Sequence, residues 1–183
     1  MTARARLIAL LRERSYRTGD FVLASGRRAS FYIDCRRTTM HAEGLQLIGA
    51  LGLAAIRERR WPAEAVGGLT LGADPVAYAI AAASASSPPA VHGFTVRKAP
   101  KTHGTAQRIE GCCEPGAQVV VVEDVITTGA SALAAVAAVR AEGGRVSGVL
   151  AVVDRGEGGR EAIEAAGLAV HTLVHARELA ESA

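Results

Sequence analysis

The chain has 183 residues, 49% of them hydrophobic, and 21 Lys and Arg against 18 Asp and Glu leave a formal charge of +3. That length suits one domain, 1–183, with a sizeable core, and the apolar content excludes a disordered class. No run of Lys or Arg exceeds two residues, so the charge makes no case for nucleic acid.

From the start, Leu7, Ile8, Leu10 and Leu11 stand among charges and predict a short amphipathic helix over 3–14. Arg12, Glu13 and Arg14 interrupt that patch too soon for a secretory segment or a membrane span. Phe21 to Leu23 and Phe31 to Ile33 read as two short strands joined by a polar turn with a basic tip. His41 to Glu58 carries an apolar face wide enough to cover a sheet. Ala65 to Leu69 is a short buried strand, followed by a turn over 70–75 and an alanine-rich helix from about Val76. That turn is either a second anion site or a helix start capped by Asp74. Val91 to Val96 is the next strand. It runs into Arg97, Lys98, Lys101 and His103, with Pro100 and Gly104 disfavouring regular structure. Composition alone allows a solvated loop, whereas its length up to residue 111 suits an active-site lid. Cys35, Cys112 and Cys113 are odd in number and lack metal-ligand spacing, so reduced thiols of a cytoplasmic protein are expected.

Val119 to Val122 are four consecutive β-branched residues, a strand buried on both faces as in a parallel sheet. Glu123 and Asp124 stand at its end, and Val125, Ile126, Thr127, Thr128, Gly129, Ala130 and Ser131 lead into a helix that stops at Gly143-Gly144. Small residues at a helix N-terminus offer backbone N–H groups to a phosphate, and the hydroxyls add donors. Acid residues beside a phosphate cradle make sense when a sugar lies between, its hydroxyls donating to the carboxylates. The turn lacks the lysine of a P-loop and the glycine pattern of a dinucleotide fold. Val146 to Val153 is a further strand ending in Asp154-Arg155, before a short helix over 161–166, a strand over 169–174 and a helical turn over 176–180. Alternation from residue 41 onward predicts a doubly wound, mainly parallel sheet flanked by helices.

The segment 119–131 resembles the phosphoribosyl-pyrophosphate (PRPP) motif of type I phosphoribosyltransferases. Within that fold, Phe21-x-Leu23-x-Ser25-Gly26 with Ser30-Phe31-Tyr32-Ile33-Asp34, Arg97-Lys98-x-x-Lys101-x-His103-Gly104 and Asp154-Arg155 resemble orotate phosphoribosyltransferases. The resemblance implies an N-terminal helix and hood over 1–40, an α/β core over 41–183, and a mobile basic lid. It implies transfer of a phosphoribosyl group from PRPP to N1 of orotate, giving orotidine 5′-monophosphate (OMP) and pyrophosphate. Lys101, His103, Arg97 and Asp124 are the implied catalytic residues. Glu123 and Asp124 would hold the ribose, residues 125–131 the 5′-phosphate, and Gly72, Ala73, Arg97, Lys98, Lys101 and His103 the pyrophosphate. Thr127, Arg155, Ser25, Gly26, Phe31 and Tyr32 would face orotate. Mg²⁺ would arrive on PRPP without a protein cage, and the loop 97–105 would reach the neighbouring site of a homodimer. Ala24 stands where that family usually has lysine, so a cationic ligand to the substrate is either missing there or supplied by Arg27 or Arg28. The rivals are transfer to a purine or other base, and a non-catalytic PRPP or nucleotide sensor.

Overall fold

A computed structural model describes residues 1–22, 28–99 and 108–180 of the chain. Its elements are α1 (Ala3–Arg14), β1 (Tyr16–Val22), β2 (Arg28–Ile33), α2 (Arg36–Thr39), α3 (Ala42–Glu58), β3 (Ala65–Leu69), α4 (Ala73–Ala85) and β4 (His92–Val96). The second half adds β5 (Ile109–Gly111), β6 (Gln118–Ile126), α5 (Ala130–Ala141), β7 (Arg145–Asp154), α6 (Gly159–Ala165), β8 (Val170–His175) and α7 (Ala176–Ala180).

Six strands form one sheet in the order β5-β4-β3-β6-β7-β8, parallel except for β5, which runs antiparallel to β4. The valine run of β6 fills both faces of it. Val120 and Val122 join a core with residues of α1, α3, α4 and α7, whereas Val119 and Val121 join a second core with α5 and α6. This two-sided burial is why β6 is apolar without alternation. From β3 the chain grows one way to β4, then returns beside β3 as β6 and grows the other way, so the switch point lies between the carboxyl ends of β3 and β6. Open α/β sheets bind ligands at that crevice.

β1 and β2 form a separate antiparallel hairpin, with a register shift between Thr18 and Phe21. The end of the hairpin, Tyr32 and Ile33, lines the crevice. β1 starts five residues before the expected Phe21, because Tyr16, Arg17 and Thr18 pair with β2, although Arg17 and Thr18 are solvent-exposed. α4 begins at Ala73 with Gly72 as its N-cap, three residues earlier than the sequence suggested. Pro75 sits within the first turn, where a missing N–H costs nothing. Asp74 is therefore no cap: its carboxylate accepts from Thr70 Oγ1 at 2.7 Å and Thr95 Oγ1 at 2.8 Å, fixing the 70–72 turn to β4.

Candidate active site

An open cleft of about 370 Å³ occupies the crevice. The turn after β3 gives one wall (Thr70, Leu71, Gly72), and β6 with the start of α5 gives another (Glu123, Asp124, Val125, Thr127, Ser131). Tyr32 to Arg36 from the end of the hood, with Lys98 and Arg155, complete it.

β6 does not end before its carboxylates. Its pairing with β3 stops at Gly67↔Val121, but pairing with β7 continues through Val125↔Val153 and Ile126↔Asp154. Glu123 and Asp124 thus lie in the last, one-sided stretch of the strand, held more rigidly than loop residues would be. Glu123 is 5% exposed and its Oε1 is buried with no hydrogen-bond partner among the described residues. Burial, and then the neighbouring Asp124, push its carboxyl up to about 8, which favours the protonated form at neutral pH. Burial also raises Asp124, opposed by the N–H of Val125, which donates to Oδ1 at 2.9 Å, and by the Arg36 cation. Gly72 closes on this carboxylate: a Cβ there would lie 2.5 Å from Asp124 Oδ1.

At the head of α5, Gly129 is the N-cap with φ 79°, a left-handed conformation that favours glycine. A Cβ on it would also press the Gly159 carbonyl oxygen at 2.7 Å. The helix's first hydrogen bond runs from the Leu133 N–H to the Gly129 carbonyl, which leaves the preceding N–H groups available to an anion. A small cup of about 20 Å³ lies there between Glu123 and residues 125–132.

Arg155 enters from the end of β7. Its backbone N–H donates to the Ile126 carbonyl at 3.0 Å, and buried Asp154 braces the turn by accepting from Gly156 N–H at 2.8 Å and Arg160 Nε at 3.1 Å. The Arg155 guanidinium lies 5.0 Å over the Phe31 ring, which stacks in turn on Tyr16 at 5.5 Å. Its side chain is 6% exposed, and Nε and Nη2 lack a hydrogen-bond acceptor among the described residues. Two buried donors without acceptors mark a group whose partner arrives with a ligand.

The structure thus brings Gly72, Lys98, Glu123, Asp124, Val125, Thr127, Ser131, Tyr32 and Arg155 to one cleft. Ile126, Gly129 and Ala130 line the cup beside it. Phe31 reaches the cleft through Arg155. Ala73 is fully buried in α4 and offers no side chain, and Thr128 is exposed beside the cup. Arg97 ion-pairs with Glu110 at 3.5 Å and does not line the cleft. Ser25, Gly26, Lys101 and His103, as well as Ala24 and Arg27, lie outside the described residues. Arg28 pairs with Asp20 across the hairpin at 3.5 Å. The sequence reading missed Arg36, whose Nε donates to Asp34 Oδ1 at 2.9 Å beside the cleft, and Glu157, 2.8 Å from Arg155. Spacing offers no signal for either. Among the described residues no group of three or more His, Cys, Asp or Glu is placed to hold a metal ion. The carboxylate oxygens facing the cleft are hard donors that suit a hydrated Mg²⁺ carried in on a substrate's phosphates.

No family model matches the chain. It is 46% identical over 178 residues to the orotate phosphoribosyltransferase of Rhodopirellula baltica, covering 95% of this chain and 92% of that one. To that of Corynebacterium glutamicum it is 48% identical over 177 residues, covering 97% and 94%. The crystal structure of Mycobacterium tuberculosis orotate phosphoribosyltransferase in complex with PRPP superposes with a TM-score of 0.83 at 42% identity, covering 98% of this chain and all of that chain.

Proposed function

The chain belongs to the orotate phosphoribosyltransferase family, and on that premise we propose how its own residues carry the reaction. The enzyme transfers the 5-phosphoribosyl group of PRPP to N1 of orotate, giving OMP and pyrophosphate. One observation supports the residue roles most strongly. A carboxylate pair with Glu123 buried and Asp124 half-buried, a free helix N-terminus and an arginine with unmet donors converge on one cleft at the sheet's switch point.

In this reading Glu123 and Asp124 bind the ribose hydroxyls, and the 125–131 turn receives the 5′-phosphate. A protonated Glu123 donates to a sugar oxygen as well as accepting, and Asp124 places negative charge near the anomeric carbon as cationic character develops there. The 70–72 turn, with Gly72 tight against Asp124, receives the pyrophosphate. Arg155 binds the orotate carboxylate through two N–H groups, a planar match that lysine does not offer. Phe31 and Tyr32, with Ser25 and Gly26, cover the base. A buried cation on this side suits a carboxylated acceptor and has no role toward a purine.

Lys98, Lys101, His103 and Arg97 stabilise the departing pyrophosphate, and Mg²⁺ bound with PRPP supplies further charge neutralisation there. We assign the loop 97–105 to the neighbouring site of a homodimer, a placement supported by Arg97 turning from its own cleft toward Glu110, with Lys98 at the loop's root remaining on its own cleft. An apolar groove of about 490 Å³ between α3 and α4, lined by Leu45, Tyr78, Ala79 and Ala82, suits the second subunit. We read 1–183 as a single domain acting in the cytoplasm; no helix among the described residues is long and apolar enough to cross a membrane.

The test is spectrophotometric loss of orotate with PRPP and Mg²⁺ beside a chelator control. Loss with stoichiometric pyrophosphate is expected. Orotate that persists while PRPP still binds would overturn the acceptor assignment.

A further inference from the structure

We propose that Glu157 is a resident counter-ion that competes with the acceptor's carboxylate for Arg155, and so limits how tightly substrate and product are held; the inference rests on the reading of Arg155 given above. The arginine is fixed on one side by the Phe31 ring at 5.0 Å. Glu157 Oε1 lies 2.8 Å from its Nη2, with only 18% of the glutamate side chain exposed. The contact is an ion pair without hydrogen-bond alignment, because Nη2 and Nε both lack an acceptor among the described residues. A guanidinium this deeply buried is costly without a negative partner. Glu157 supplies that charge when the cleft is empty, yet leaves the directional N–H groups for another carboxylate.

An arriving carboxylate then shares one cation with Glu157, and the two anions repel. By linkage, whatever Glu157 gains from Arg155 is partly withdrawn from the ligand. The effect reaches orotate and OMP alike, since both carry the carboxylate, whereas uridine 5′-monophosphate (UMP) lacks it. An unopposed Arg155 would hold the product as firmly as the substrate and slow its departure.

Glu157→Gln keeps the shape and removes the charge. Calorimetric titration of orotate, OMP and UMP into the variant and the parent enzyme reads the effect. Orotate and OMP are expected to bind at least about fivefold tighter, with UMP within about twofold. A scaffold role for Glu157 would lower thermal stability and leave the OMP-to-UMP affinity ratio unmoved. An unchanged or reduced ratio in a folded variant overturns the proposal. Glu157→Asp, which draws the carboxylate back by one methylene, carries the same expected sign should the glutamine variant not fold. Arg155→Ala, run alongside, separates the two levels. If it too leaves the OMP-to-UMP ratio unchanged, the reading of Arg155 itself is wrong. If only the Glu157 variants are silent, the counter-ion inference alone falls.

Discussion

Replacing Glu123 by Gln tests the electrostatics of the cleft without touching a substrate. In the folded protein the Glu123 carboxyl is pushed from 4.5 to about 8, mainly by burial. A carboxyl that holds its proton more tightly when folded contributes its full stability below the unfolded value, and loses it as pH rises through the folded one. Each unit between the two is worth about 1.4 kcal/mol, so the whole window costs about 5 kcal/mol, of which about 2 falls between pH 6 and pH 8, where the folded carboxyl is already half ionised at the upper end. At roughly 2–4 °C per kcal/mol for a chain of this size, the parent enzyme should lose about 4–8 °C of Tm across that interval through this group. Glutamine cannot ionise, so the Glu123→Gln curve should lack that fall, with the gap between the two proteins widening as pH rises. Thermal melts followed by circular dichroism in half-unit pH steps at fixed ionic strength measure it. Because every other titrating group is common to both proteins, their difference isolates Glu123. Parallel curves from pH 6 to pH 8.5 would refute the burial argument and the donor role drawn from it.

Lys101→Ala should lower kcat by more than about tenfold, or over about 1.4 kcal/mol of barrier, in steady-state assays; a value within about threefold of the parent removes Lys101 from the reaction. Gly72→Ala places a methyl group 2.5 Å from Asp124 Oδ1, so the KM for PRPP should rise at least about tenfold, and an unchanged KM would show that the carboxylate yields freely. Gly148→Ala brings a Cβ within 2.6 Å of the Trp61 ring, far from the cleft. It should cost about 1–3 kcal/mol in urea unfolding with kcat/KM retained, and lost activity at full stability would contradict that separation.

Much of the core was legible because burial on both faces leaves a plain signature. The Val119–Val122 run could hardly be anything but a central strand, and it fixed where the carboxylates and the phosphate turn would fall. Its end was not legible: Glu123 and Asp124 look like loop residues, yet the one-sided pairing of β6 with β7 carries the strand to Ile126. β1 was half hidden because Arg17, Thr18, Gly19 and Asp20 bury nothing, and the strand exists only by pairing with β2. Asp74-Pro75 reads as a turn in isolation, although proline fits a first helical turn equally well. Arg36 and Glu157 escaped notice because their significance lies in what they face, and short-range spacing carries no record of that. The motifs gave most of the rest: their described members Tyr32, Lys98, Glu123, Asp124, Thr127 and Arg155, distant in sequence, meet in the cleft.

The cleft divides by ancestry of its walls. Apart from the basic segment after β4, the groups proposed to grip the sugar and its phosphates belong to the β3 turn and to β6 with α5, at the centre of the sheet. The groups proposed to judge the acceptor, Phe31, Tyr32 and Arg155, belong to a separate hairpin and to the residue just beyond β7. Those two pieces touch each other, ring against guanidinium, so a change in one is felt by the other. A designer seeking a new acceptor would therefore graft the hairpin and the β7 end together. Moving either alone would strand a buried cation with no ring beneath it, or a ring with nothing to cover.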